Sequence, residues 1–184
     1  MKAGVLALQG DFREHAAAFR DLGVAVREVR TPEELAEVDC LAIPGGESTT
    51  MAKLARSAEL VDPIRDRVTS GMPVLGTCAG MIVLATRVDD EEGLFGAIDI
   101  SVRRNAYGRQ TESFEADVDV RGTGNVRAVF IRAPIVESVG SAVTVLGEHE
   151  HRPVVLVQSN VLVASFHPEL VGDPALHARL LELG

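Results

Sequence analysis

Cysteine and positive charge are both scarce in this chain, and each scarcity excludes a class of function. Two cysteines in 184 residues, Cys40 and Cys78, cannot build a disulfide framework, and they lack the CxxC spacing of a zinc site. A reducing, cytoplasmic setting is the simplest expectation. Lysine and arginine total 18 against 27 acidic residues, a net charge of −9, which argues against nucleic acid or an anionic membrane as the main partner. No N-terminal apolar run is long enough to span a bilayer. Asp11-Phe12-Arg13-Glu14-His15 interrupts the first one, which also lacks the length and cleavage site of a signal peptide and so reads as a core strand. Also missing are a P-loop, a dinucleotide fingerprint, an internal repeat, a low-complexity tract and a linker. What remains, at 46% hydrophobic content, is a chain of one-domain length, 1–184, with ample material for a core.

Strands and helices alternate through the first half. Val5 to Leu8 is an uninterrupted apolar run, as in a central parallel strand covered on both faces. Asp11 is a candidate N-cap for a helix from Phe12 to Leu22, closed by Gly23. Val24 to Val29 supplies a second strand, Thr31-Pro32-Glu33-Glu34 opens a short helix, and Cys40 to Ile43 is a third strand. Thr49 to Ala58 and Leu60 to Ser70 are helical in pattern. This pace of alternation predicts βαβ units and a parallel sheet. After the acidic Asp89-Asp90-Glu91-Glu92-Gly93, read as a solvated turn, Ile98 to Arg103 and Ser113 to Val120 alternate apolar and polar residues, the pattern of antiparallel strands with one wet face. Arg127 to Ile131, Ala142 to Leu146, Val154 to Gln158 and Val161 to Phe166 follow as short strands, the last two joined at Ser159-Asn160. Asp173 and Pro174 start a final helix from Ala175 to Leu183.

Three stretches carry chemistry. In Gly76-Thr77-Cys78-Ala79-Gly80 a short strand meets a helix-compatible run from Met81 to Ala85, with small residues on either side of one cysteine. That is the composition of a nucleophile elbow, a turn so tight that its neighbours must be nearly side-chain-free. A cysteine beside a helix N-terminus is biased toward the thiolate. An inert buried cysteine after a core strand is the competing reading, and spacing alone does not separate the two. In Ser165-Phe166-His167-Pro168-Glu169, a strand-end histidine can move a proton near neutral pH, and Glu169 can orient it through its other nitrogen. Singly these read as a turn histidine and a surface carboxylate; their joint occurrence with the elbow cysteine shifts the reading. In Pro44-Gly45-Gly46-Glu47-Ser48-Thr49, adjacent glycines let backbone N–H groups face a developing oxyanion, and Glu47 and Ser48 can hold a polar substrate. The plainer reading is a strand-to-helix turn capped by Ser48 or Thr49. Three further histidine sites weigh less: His149-Glu150-His151 reads as a solvated turn, and His15 and His177, in polar helical contexts, read as exposed.

These segments together resemble the class I glutamine amidotransferase family, and within it the glutaminase subunits of pyridoxal 5′-phosphate synthases. The match runs nearly end to end. It includes Ile43 to Thr50, the elbow, Arg104-Asn105-Ala106-Tyr107-Gly108-Arg109-Gln110, Phe114-Glu115-Ala116, Phe130-Ile131-Arg132-Ala133-Pro134 and Ser165 to Glu169. Ala106 and Tyr107 stand where serine and phenylalanine are expected. The resemblance implies an α/β three-layer sandwich, flavodoxin-like, with a central mostly parallel sheet and antiparallel additions in the second half. It implies a Cys78, His167 and Glu169 triad without a cofactor or metal, an oxyanion site near the N–H groups of Gly46 and Ala79, and glutamine contacts from Gly46, Glu47, Ser48, Arg104, Ile131 and Arg132. It also implies a partner: a separate barrel-shaped synthase subunit that consumes the ammonia, in a large ring-shaped hetero-oligomer whose docking activates the glutaminase through the Gly45-Gly46 loop.

Three alternatives stand beside this. The glutaminase subunit of imidazole glycerol phosphate synthase shares the elbow and the His-Pro-Glu, but the segments at 104–110 and 130–134 speak against it. DJ-1-like or peptidase-like members of the fold do not usually carry that His-Pro-Glu. A non-catalytic binding domain has no chemical need for Cys78, His167 and Glu169 together.

Overall fold

The computed structural model describes residues 1–104 and 113–184, so the segment from Asn105 to Gln110 singled out above lies outside the described residues. In chain order the elements are β1 (Lys2–Leu6), α1 (Phe12–Asp21), β2 (Ala25–Val29), α2 (Pro32–Ala36), β3 (Cys40–Ile43), α3 (Ser48–Ser57), α4 (Val61–Thr69), β4 (Val74–Thr77), α5 (Ala79–Leu84), β5 (Ala85–Val88), β6 (Glu91–Glu92) and β7 (Ile98–Arg103). The second half adds β8 (Ser113–Val120), β9 (Gly124–Ile131), β10 (Ile135–Val139), β11 (Thr144–His149), β12 (Arg152–Gln158), β13 (Val161–Ala164), a 3-10 turn at Glu169–Val171 and α6 (Ala175–Leu181).

The main sheet has seven strands in the order β11-β12-β13-β4-β3-β1-β2. Pairing is parallel from β2 through β13, and β12 and β11 are added antiparallel at one edge. The parallel part therefore runs 2-1-3-4-5 in its own strand count, the flavodoxin-like order, which reverses direction between β1 and β3. Side chains alternate between the two faces. Along β3, Leu41 and Ile43 enter one core with Met51, Ile64 and Leu84, while Cys40 and Ala42 enter the other with Phe19, Phe130 and Leu180. The first core lies under α3, α4, α5 and a small sheet ordered β10-β7-β5-β6; the second lies under α1, α6 and the β8–β9 hairpin.

Local chemistry accounts for most boundaries. Thr31 caps α2 by accepting from Glu34 N, with Pro32 at the first position. Asp173 Oδ1 accepts from Ala175 N at 2.9 Å at the start of α6. Two expectations shift. The N-cap of α3 is Glu47, not Ser48 or Thr49: its carboxylate accepts from Thr49 N at 3.0 Å and Thr50 N at 2.7 Å. Asp11 occupies the N-cap position of α1 but makes no side-chain cap, because its carboxylate faces His167 instead. The Ser159-Asn160 turn does join an antiparallel pair, and Asn160 Nδ2 ties it down by donating to Val68 O at 2.9 Å and Met72 O at 2.7 Å. No helix among the described residues is long and apolar enough to cross a membrane.

Candidate active site

In a sheet of this order, ligands bind beyond the carboxyl ends of the strands where the winding reverses. The loops after β1 and β3 meet there, and the ends of β4 and β13 lie alongside. Cys78 follows β4 with φ at 49°, a left-handed conformation uncommon for a non-glycine residue and often retained where function needs it. The flanking glycines make the turn possible by close approach. A Cβ on Gly76 would lie 2.7 Å from the Gly80 carbonyl, and one on Gly80 would collide with the Ile43 carbonyl. Cys78 is 6% exposed, and its Sγ lies 3.9 Å from Ile131 O.

His167 leaves the end of β13 with its N–H on Val129 O at 2.8 Å. Its Nδ1 donates to Glu169 Oε1 at 2.9 Å, and Asp11 Oδ2 lies 3.4 Å from the same nitrogen. Burial works against the charged ring, but acceptors at Asp11, Cys78 and Glu169 outweigh it and push its pKa up to about 12. Glu169 is 4% exposed. Burial opposes its charge too, yet His15 and His167 beside it hold the carboxyl well below the usual carboxylate range. The ring of His167 lies so close to the loop after β3 that a Cβ at Gly45 would overlap it.

Cys78 and His167 open into a cleft of about 660 Å³ whose walls include Gly46, Glu47, Ser48, Arg104, Ile131 and Arg132. All six residues expected to hold substrate thus face one space, together with the cysteine and the histidine. Ala79, expected to offer its N–H, is 1% exposed at the first position of α5. Glu47 is kept anionic, its pKa lowered to about 2 by Thr50 and the N–H groups of Thr49 and Thr50. Its N–H donates to Gln9 Oε1 at 3.1 Å, which ties the glycine loop to the end of β1. Arg104 spans the cleft rim, donating from Nε to Asp89 Oδ2 at 2.6 Å and from Nη1 to Thr49 Oγ1 at 3.2 Å.

Several residues depart from the sequence expectation. Asp89 is not part of a simply solvated turn but pairs with Arg104 in the cleft wall. Asp11 does not cap α1 and lines the cleft. His15 and His177 are not exposed: both are 0% exposed, His15 lies 3.5 Å from Glu169 Oε1, and His177 lies 2.8 Å from His15. His149 stacks on Phe114 and Phe130, each with ring centroids 5.4 Å away, and so is not simply solvated. Among the described residues, the atoms of Asp11, His167 and Glu169 come within 4.8 Å of one another, close enough to hold a metal ion. The His167–Glu169 hydrogen bond already occupies two of those three atoms.

The sheet order, the elbow cysteine and the histidine–carboxylate pair at the strand ends define a fold of the class I glutamine amidotransferase kind. The chain belongs to the SNO glutamine amidotransferase family, whose model it matches over residues 5–181. It is 56% identical over 185 residues to the pyridoxal 5′-phosphate synthase subunit PdxT of Streptomyces avermitilis, covering 98% of this chain and 92% of that one. A crystal structure of a glutamine amidotransferase superposes with a TM-score of 0.94 at 49% identity over 98% of this chain and 97% of the other. The structure of PurLQS from Thermotoga maritima shares the fold, with a TM-score of 0.72 at 16% identity over 100% of this chain and 99% of that one.

Proposed function

We propose that the chain hydrolyses L-glutamine to L-glutamate and ammonia, and passes the ammonia to a separate synthase subunit that builds pyridoxal 5′-phosphate. The observation that supports it most is the cleft in which Cys78, on its elbow, opens beside His167 and His167 is bonded to Glu169. The Cys78 thiolate attacks the side-chain amide carbon of glutamine. The resulting oxyanion lies near the N–H groups of Gly46 and Ala79. On collapse the carbon–nitrogen bond breaks, His167 gives its proton to the departing nitrogen, and ammonia leaves a glutamyl thioester. His167 then takes a proton from water, which attacks the thioester, releasing glutamate and restoring the thiol pair. Glu169 keeps the ring oriented throughout.

The polar walls suit an amino acid. Arg104 and Arg132 complement the substrate α-carboxylate, and the anionic Glu47 complements its α-ammonium, with Gly46, Ser48 and Ile131 completing the contacts. Ammonia becomes a poor nucleophile once protonated in bulk water, so a consumer must dock. The PdxT relatives are named as subunits of pyridoxal 5′-phosphate synthase, which supports a companion synthase subunit; its barrel shape, a ring-shaped hetero-oligomer and a cytoplasmic setting that keeps Cys78 reduced are part of the proposal. The whole chain acts as one glutaminase domain.

The test is glutamate release from glutamine with and without the synthase subunit, with Cys78→Ala in parallel. Partner-stimulated release that the substitution abolishes is expected. Absence of release from a correctly assembled complex would overturn the reading, and full activity without a partner would reject the docking requirement alone.

A further inference from the structure

Behind the triad lies a run of buried polar side chains that the mechanism above does not use. His15 from α1 has Nε2 at 3.0 Å from Thr77 Oγ1 and 3.5 Å from Glu169 Oε1, while its Nδ1 lies 2.8 Å from His177 Nε2 on α6. Thr77 Oγ1 is itself 3.5 Å from Glu169 Oε1. His15, Thr77 and His177 are all 0% exposed. We propose that His15 is a positioning residue: it donates from Nε2 to Thr77 Oγ1, whose hydroxyl donates in turn to Glu169 Oε1, fixing the oxygen that orients His167, and His177 holds it in the tautomer that can do so.

The accounting of donors carries the assignment. Among the described residues Glu169 Oε2 meets no hydrogen-bond partner, so every bond that fixes this carboxylate converges on Oε1. His167 Nδ1–H supplies one, and the Thr77 hydroxyl, which accepts from His15 Nε2–H, supplies the other. His177 Nδ1 also meets no partner. If His177 carried its hydrogen there, a buried N–H would be orphaned, which folded proteins tolerate less well than an unpaired acceptor. The hydrogen therefore sits on His177 Nε2 and is donated to His15 Nδ1, which places the His15 hydrogen on Nε2, facing Thr77 and Glu169. The opposite polarity orphans the N–H of His177 and turns a His15 lone pair toward the carboxylate. Burial, and His15 alongside, push the His177 pKa down to about 3, consistent with a ring that stays neutral. The titratable groups on the elements around His15 are Asp11 before α1, His167 and Glu169 after β13, Cys78 after β4 and His177 on α6, and Phe19 packs edge-on against His177 with ring centroids 4.9 Å apart.

The consequence is functional because Glu169, with Asp11 and Cys78, supports the charged form of His167. Losing the His15 donor loosens the Thr77 hydroxyl and the carboxylate it holds, so the imidazolium loses support and alkylation of Cys78 is expected to move to higher pH. The proposal rests on the triad reading, and its test separates the two. The pH profile of Cys78 alkylation by iodoacetamide is measured on the full chain without partner, and glutamate release on the complex with the synthase subunit. Wild type, His15→Gln, His15→Met and Thr77→Val are compared, each with a thermal melt. Glutamine places an amide N–H where Nε2–H stood; methionine places none. His15→Met is expected to raise the alkylation midpoint by about one pH unit and lower kcat about tenfold at unchanged KM, with glutamine restoring most of both. Thr77→Val, a near-isosteric change, is expected to move the profile in the same direction and decides the matter if the methionine variant does not fold. Wild-type profiles in both His15→Met and Thr77→Val, or equal losses with glutamine and methionine, would overturn the proposal. A wild type that releases no glutamate while its alkylation profile still responds to His15→Met sinks the glutaminase reading and supports the positioning role.

Discussion

Gly45→Ala isolates the contact between the Gly45-Gly46 loop and the His167 ring. Gly45 has no left-handed φ, so alanine brings no backbone strain of its own and acts only through its methyl. That methyl would lie 2.7 Å from His167 Nδ1, 3.2 Å from Nε2 and closer still to Cε1. Non-bonded heavy atoms settle at about 3.5–4.0 Å, so ring and loop must separate by roughly 1 Å. The ring cannot retreat freely, since its Nδ1 is bonded to Glu169 at 2.9 Å and its backbone N–H is fixed on Val129 O at 2.8 Å. A misplacement of about 1 Å in a reacting group costs on the order of 100-fold in rate, or about 2.7 kcal/mol at 1.36 kcal/mol per factor of ten. The stability cost of such overpacking is about 1–3 kcal/mol. The assay is partner-stimulated glutamate release at saturating glutamine, with a thermal melt as control. A folded Gly45→Ala complex whose kcat stays within about threefold of wild type would refute the reasoning, because a ring so placed cannot absorb a methyl without moving.

Other perturbations test the frame around the site. Glu47→Ala removes the cap of α3 and should cost about 1 kcal/mol at neutral pH, read as a melting temperature lower by about 2–4 °C. Because the folded pKa of Glu47 is depressed to about 2, its charge-linked stability is complete above the unfolded value and is lost as pH falls toward the folded one. The wild-type advantage over Glu47→Gln should therefore shrink through acid and not through base. Gly80→Ala places a methyl 3.0 Å from the Ile43 carbonyl carbon and closer to its oxygen; both are backbone, so a loss of about 1–3 kcal/mol is expected in denaturant unfolding, with reduced Cys78 alkylation. Asn160→Ala deletes two bonds to buried carbonyls, at about 1 kcal/mol each, and should lower the melting temperature while leaving KM for glutamine unchanged, since the turn lies at the opposite end of β13 from His167.

What could be read from sequence followed from how local the cause was. The bounds of β3, β7 and β8 agree residue for residue with the runs Cys40 to Ile43, Ile98 to Arg103 and Ser113 to Val120, because a continuous apolar run or a strict alternation is written within the strand itself. The short β5 and β6 are not legible in the sequence: Ala85 looks like the end of the α5 run, and Glu91 and Glu92 take strand geometry only by pairing with Val88 and Arg87. The irregularity between Val136 and Ser138 breaks the alternation that would have revealed β10. The candidate site shows the same division. Cys78, His167 and Glu169 announce themselves through tight-turn neighbours, but Asp89 is turned from a solvated acid into a cleft wall by Arg104, which is 15 residues away.

The two buried histidines are the instructive failure, because a signal for them was present. Helical spacing puts His15 on one face of α1 with Phe12, Ala18 and Phe19, and puts His177 on one face of α6 with Leu180 and Leu181. A polar residue on such a stripe is either an exposed misfit or a buried group with partners, and buried polar groups are hydrogen-bonded as a rule. What the stripe cannot reveal is the partner, since α1 and α6 meet only when the fold stacks both against the same face of the main sheet. Three of the chain's five histidines thus fall in one line, His177 to His15 to Glu169 to His167. An apolar core would pack at least as well there, and leaving one such ring without its neighbour would strand a buried donor. A structural role for His15 alone predicts that glutamine and methionine at this position differ in stability; a positioning role predicts that they differ in the pH at which Cys78 becomes reactive, even between variants that melt alike.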